Sequence, residues 1–116
     1  MQQITIYHNP KCSKSREALA LLEARGIAPR VVEYLQTPPS PRELDRILKL
    51  LALEPRALMR RKEPEYRALG LDDPGLTRAR LIEAMVAHPR LIERPIVLAH
   101  GKAALGRPPA DVLRIL

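Results

Sequence analysis

Apolar and polar residues alternate at the start of the chain. In ITIYH, Ile4 and Ile6 fall on one side and Thr5 and Tyr7 on the other, the period of two expected of a β-strand. Asn9-Pro10 breaks that pattern. The next stretch, SKSREALALLEARG, is rich in strong helix formers, with Ala18, Leu19 and Leu22 on one face. Gly26 stands where a helix C-terminus favours a left-handed residue. RVVEYL, β-branched and short, predicts a second strand. Two strands joined by a helix make a βαβ unit with parallel strands.

The segment TPPSPRELDRILKLL carries its own helix start, with Ser40 as cap, Pro41 in the first turn and Glu43 completing a capping box. Leu44, Ile47, Leu48 and Leu51 form its apolar stripe. Short helices continue through PRALMRRKEPEYRALGL and LTRARLIEAMVAH, the last capped by Thr77 and all separated by Pro and Gly. PIVLA and KAALG then read as two strands joined by the tight turn His100-Gly101, and PPADVLRIL as a final short helix. The order β-α-β, helices, β-β-α predicts an α/β protein with one mixed sheet. No repeat or linker interrupts it, so residues 1–116 are expected to form a single domain.

Composition narrows this picture. There is no Phe or Trp, and the aromatics are Tyr7, Tyr34 and Tyr66, so the core must be aliphatic. One cysteine excludes an internal disulfide. No secretory signal pattern and no apolar run of about 20 residues is present, which leads us to expect a cytoplasmic protein without membrane association. A formal charge of +7 raises nucleic acid as a partner. The scattered basic residues and scarce aromatics argue against specific recognition of it. One Cys and three dispersed His give no metal-ligand spacing, so no metal is expected.

The sole thiol, Cys12, falls at the carboxyl end of the first strand and in the first turn of the following helix. Unpaired N–H groups and a partial positive charge favour an anion there, and in such sites a thiol pKa drops from about 8.5 to as low as 3.5–7.5. His8, Lys11, Lys14 and Arg16 add donors or charge. A lone cysteine also fits as a small buried hydrophobe. Its Lys and Ser flanks, and its place at a strand-to-helix junction, favour the reactive reading. Ser15 takes the slot of a second thiol in Cys-x-x-Cys, so an adduct on Cys12 needs an external thiol for its removal. Arg94 and Arg107 precede prolines and flank the predicted hairpin, while Arg60 lies in LMRRKE. Clustered at a helix mouth, such arginines would bind a tetrahedral oxyanion. Taken singly, each also fits as a surface arginine, with Glu63 and Glu93 available to neutralise it.

Taken together, ITIYHNPKCSKSR, YLQTPPS, LMRRKE, HPRLIERPIVLAHGKAALGRPP and VLRIL resemble the glutathione/glutaredoxin-dependent arsenate reductase (ArsC-like) family, in its YfgD-like branch. The resemblance runs end to end. It implies a thioredoxin-like, glutaredoxin-type fold with a mixed four-stranded sheet and a helical insertion over about 40–90. It implies Cys12 as nucleophile, His8 as a residue favouring the thiolate, and Ser15 as one hydrogen-bonding it. Arg60, Arg94 and Arg107 would bind the oxyanion, and Pro95 would be the cis-proline facing the cysteine. It further implies arsenate or a similar oxyanion as substrate, no bound cofactor, glutathione as co-substrate and glutaredoxin as partner. Ser13-Lys14 departs from the Gly-Thr usual after the cysteine, which alters the loop around the anion and adds a charge. Two other activities fit the same residues: a glutathione-linked thiol-disulfide oxidoreductase, and a Spx-like redox-responsive regulator binding RNA polymerase. Ser15 removes the Cys-x-x-Cys switch of the latter.

Overall fold

The computed structural model describes residues 3–116. The elements in chain order are β1 (Thr5–His8), α1 (Ser13–Ala24), β2 (Arg30–Glu33), α2 (Pro41–Leu51), α3 (Pro64–Ala68), α4 (Arg78–Ala87), β3 (Ile96–Ala99) and β4 (Lys102–Leu105). Single 3-10 helices occupy Pro55–Leu58, Pro89–Leu91 and Pro109–Ile115. The chain divides into two compact units, one comprising the chain up to Thr37 together with Arg94–Leu116, the other Pro38–Glu93.

The first unit holds a mixed four-stranded sheet of order β2-β1-β3-β4. β1 runs parallel to β2, as the βαβ reading requires, and antiparallel to β3, which pairs antiparallel with β4. Ile6 stands opposite Val97 in this register. Together with Ala18 and Leu22 of α1 and Val112 of the C-terminal 3-10 helix they form a fully buried cluster. Burying a side chain of this size contributes roughly 1.5–3 kcal/mol, so this seam is what fastens α1 to the sheet. Gly26, at φ +74°, closes α1: its N–H bonds the Glu23 carbonyl at 2.9 Å and the Ile27 N–H bonds that of Leu22 at 3.1 Å. That closure brings Ile27 back against the same cluster.

The structure adds detail to these elements. Although ITIYH alternates, Thr5, Ile6, Tyr7 and His8 are all buried. β1 is an interior strand, so its polar positions are enclosed as well. RVVEYL forms a strand only to Glu33, because the Glu33 carbonyl accepts the N–H groups of Gln36 (3.0 Å) and Thr37 (2.9 Å) and the chain turns. The expected final short helix is present, as the 3-10 helix Pro109–Ile115. The hairpin turn is as expected, with His100 and Gly101 both left-handed at φ 54° and 72°.

In the second unit α2 starts as its sequence predicts, the Ser40 hydroxyl accepting the Glu43 N–H at 3.1 Å. Leu44, Ile47 and Leu48 are fully buried, and α2 packs on α4, whose own cap is Thr77. An antiparallel bridge pairs Met59 with Ile92. The Arg60 N–H bonds Leu91 O at 2.7 Å and the Glu93 N–H bonds Leu58 O at 2.8 Å, so the segment carrying Arg60 is pinned to the end of this unit.

Gly106 is needed for close approach rather than for turn geometry. Its N–H bonds the Pro95 carbonyl at 2.8 Å, and a Cβ there would lie 2.7 Å from Pro95 Cγ and 3.1 Å from Val112 Cγ1. Both neighbours are rigid or buried, so Gly106→Ala is expected to destabilise the protein by about 1–3 kcal/mol. A lower denaturant midpoint at unchanged m-value checks this; an unaltered midpoint contradicts it.

Candidate active site

The site grows out of the C-terminal end of β1. Asn9 organises the loop that follows. Its side-chain oxygen accepts the Lys11 N–H at 3.0 Å, its carbonyl accepts the Cys12 N–H at 3.0 Å, and its own N–H donates to the Ser15 hydroxyl oxygen at 3.0 Å. Cys12 is thereby set as the N-cap of α1, in extended conformation, with its carbonyl accepting the Arg16 N–H at 3.0 Å. Cys12 as a residue is half-buried.

Ser15 is completely buried, and its hydroxyl oxygen lies 2.6 Å from His8 Nδ1. Burial, only partly opposed by the Glu33 carboxylate, pushes the His8 pKa below the usual imidazole value. The His8 ring and the Ser15 hydroxyl share this hydrogen bond, its direction following the imidazole tautomer, while the same hydroxyl oxygen receives the Asn9 N–H. Burial disfavours the charged ring, so the part of His8 here is positional. It fixes Ser15, and Ser15 ties the first turn of α1 to the end of β1.

Burial alone would push the Cys12 thiol up. The Ser15 N–H, the Arg94 charge, the Lys14 N–H and a hydrogen bond from the Arg94 side chain act against it, and the net shift is downward. This is the helix-terminus effect in atomic form: two first-turn N–H groups and one guanidinium stabilise the thiolate. Ser15 thus acts on the sulfur through its main chain, its hydroxyl being engaged with His8 and Asn9.

Arg94 enters the site just ahead of β3, and the Arg94-Pro95 bond is cis. A second cis bond joins Arg107 and Pro108 beyond β4. Arg107 Nη1 donates to the Arg94 carbonyl at 3.3 Å, so the two arginines flanking the hairpin are linked. The structure brings His8, Cys12, Ser15, Arg94 and Arg107 into one connected set in the first unit. Arg60 belongs to the second unit, where its Nη1 lies 2.8 Å from Glu63 and its Nε 4.0 Å from Glu93. The neutralising partners considered from the sequence are therefore the ones it has. Glu63 is shared with Arg90 at 2.9 Å.

Sequence reasoning missed Asn9 as an organiser of the loop. Its signal was an Asn directly after a strand and before a proline, the setting of a side-chain-to-backbone turn. His88 and His100 sit at a helix C-cap and a hairpin turn. Among the described residues there is no group of three or more His, Cys, Asp and Glu that could hold a metal ion, and no helix is long and apolar enough to cross a membrane.

Comparison with known proteins agrees with this geometry over almost the whole chain. The sequence model of the ArsC family matches residues 7–115. The chain belongs to the ArsC family. This ArsC-family protein is 54% identical over 117 residues to an arsenate reductase of Neisseria meningitidis serogroup A, covering all of both chains. It is 53% identical over 116 residues to YfgD of Escherichia coli K12, covering 99% of this chain and 98% of that one. The solved structure of an arsenate reductase from Vibrio cholerae superposes with a TM-score of 0.95 at 57% identity, covering 98% of each chain. The fold is accordingly the thioredoxin-like fold of this family, with the mixed four-stranded sheet described above.

Two outcomes follow from the electrostatics. Alkylation of Cys12 is expected to reach its half-maximal rate at a pH below the ordinary thiol value of about 8.5, and Arg94→Gln moves that midpoint upward; an unmoved midpoint contradicts the role of Arg94. His8 binds its proton more weakly folded than unfolded, so unfolding takes up a proton below the unfolded value of about 6.5. The resulting stability is present above that pH and is lost as pH falls through the window between the unfolded and the lower folded value. His8→Gln is expected to remove this slope in denaturant midpoints measured across the same range.

Proposed function

We propose that this protein is an arsenate reductase that uses Cys12 as its nucleophile and external glutathione and glutaredoxin as reductants. The observation that carries the reading is the Cys12 thiol held toward ionisation by the Ser15 and Lys14 N–H groups and by Arg94, in a chain similar end to end to arsenate reductases. The Arg94 guanidinium receives the oxyanion beside the thiolate, and Arg107, joined to the Arg94 carbonyl, supplies further charge. Arg60 enters the reading from the family resemblance.

The Cys12 thiolate attacks arsenic, an S–As bond forms, and a protonated oxygen departs as water. Preorganised positive charge offsets the repulsion between thiolate and oxyanion at this step. A glutathione thiolate then attacks the Cys12 sulfur. An S–S bond forms, the S–As bond breaks, and its electron pair reduces As(V) to As(III), which leaves as arsenite. A glutaredoxin thiol takes the glutathionyl group and returns Cys12 as thiolate. The reaction sequence needs no second cysteine in this chain, in keeping with Ser15 in place of a resolving thiol.

The test is arsenite production from arsenate with glutathione and glutaredoxin. Wild-type protein is expected to turn over and Cys12→Ser to be inactive; equal arsenite yields from both would overturn the reading. Arg94→Gln is expected to lower kcat/KM for arsenate by about 10²-fold or more, the loss typical of removing one charged donor from a reacting anion. Arg60→Gln is expected to raise KM for arsenate if the resemblance assigns that residue correctly, and an unchanged KM removes it from the reading.

A further inference from the structure

The guanidinium of Arg60 already holds an anion, and that anion belongs to the chain itself. The Arg60 main chain is fixed, its N–H bonding Leu91 O at 2.7 Å and its carbonyl accepting the Glu63 N–H at 3.1 Å. This turn brings the Glu63 side chain back to Arg60, where Oε1 lies 2.8 Å from Nη1. The other oxygen of the same carboxylate, Oε2, accepts from Arg90 Nη2 at 2.9 Å. Glu93 stands 4.0 Å from Arg60 Nε, and Glu65 3.7 Å from Arg90 Nη1.

The two guanidinium groups that share Glu63 differ in setting. The Glu63 side chain is only 14% exposed and that of Arg60 30%, whereas Arg90 is 61% exposed. A charge-assisted hydrogen bond in the less solvated position is the stronger kind. It also occupies a donor of Arg60 that a tetrahedral oxyanion needs. A guanidinium neutralised by a carboxylate attracts a dianion less than a free one does. An anion that displaces Glu63 leaves a largely enclosed carboxylate, which is costly unless another cation holds it. Arg90 is that cation, and the proposed chemistry assigns it no other part.

We propose that Glu63 is a positioning residue that acts through Arg60: its carboxylate stands in for the oxyanion on that guanidinium, and Arg90 retains it when an anion takes its place. This rests on the reading of Arg60 as an oxyanion ligand and deepens it. Glu63 weakens oxyanion binding, Arg90 moderates that weakening, and neither touches the substrate.

The experiment uses the full-length protein and inorganic phosphate, which has the tetrahedral shape and charge of arsenate and is not reduced. Its dissociation constant is read from the protection it gives Cys12 against alkylation. Glu63→Gln, which keeps the size of the side chain and removes its charge, is expected to tighten phosphate binding about fivefold or more, the order of one partly exposed ion pair. Arg90→Gln is expected to weaken it by about twofold or more, since Glu63 then bears on Arg60 more fully. Both changes are expected to vanish when Arg60 is replaced by Gln as well. With arsenate, Glu63→Gln is expected to lower KM and to leave kcat unaltered, because a binding contribution common to ground and transition states is what changes.

Tighter binding on loss of a residue, dependent on Arg60, is an outcome that a merely structural role does not produce. If Glu63→Gln leaves phosphate binding unaltered or weakens it, while Arg60→Gln weakens it, the proposal is overturned and Arg60 stays in the oxyanion site. An effect of Glu63→Gln that persists without the Arg60 guanidinium overturns it too. Unaltered binding in Arg90→Gln strikes out the part given to Arg90. Should Arg60→Gln leave phosphate binding unchanged, or phosphate never protect Cys12, the oxyanion reading of Arg60 fails first and Glu63 with it.

Discussion

A single buried hydroxyl holds the site together. Ser15 Oγ accepts the Asn9 N–H and meets His8 Nδ1, and so joins the end of β1 to the first turn of α1. Everything on the sulfur depends on where that turn points, because the Ser15 and Lys14 N–H groups reach Cys12 from it. Burial would otherwise keep the thiol protonated. The balance is decided by oriented dipoles and one guanidinium, contributions that require fixed geometry to act.

The scaffold supplies that geometry with little material. Five buried side chains, Ile6, Ala18, Leu22, Val97 and Val112, fasten α1 and the C-terminal 3-10 helix to the sheet. Gly106 lets the strand end close on Pro95, next to the arginine that faces Cys12. Packing and chemistry share residues here: the segment that fills the core beside Val112 also carries Arg107 to the Arg94 carbonyl. The core is not purely aliphatic as composition suggests: Tyr7, Tyr34 and Tyr66 are all buried in it beside the Leu, Ile and Val side chains.

The positive charges stand in several settings. Arg46, Lys49, Arg60, Arg78, Arg90 and Arg114 lie beside carboxylates, pairs that at an exposed surface contribute little to stability. Lys14 and Arg16 lie in the first turn of α1, where cations are least favourable. A high isoelectric point is therefore a poor guide to function in this chain.

Much of this was legible in the residue order. Local rules are strong where a side chain bonds its own neighbourhood: the Ser40 and Thr77 caps, the Gly26 helix end and the His100-Gly101 turn all follow from sequence, as does the parallel pairing of β1 with β2. The position of Cys12 at a strand-to-helix junction was equally local. Other features depended on groups distant in sequence. The enclosure of Thr5 and Tyr7 follows from β1 being an interior strand, which no alternation within five residues reveals. The preference of His8 for its uncharged ring requires its burial, and the hydroxyl of Ser15 turns away from the sulfur because His8 and Asn9 take it. Arg94 reaches Cys12 across 82 positions of chain because β3 pairs with β1. Sequence determined which groups are present and how each local turn is made; only tertiary structure decided which of them face one another, since burial and pairing are properties of neighbours that the chain order does not list.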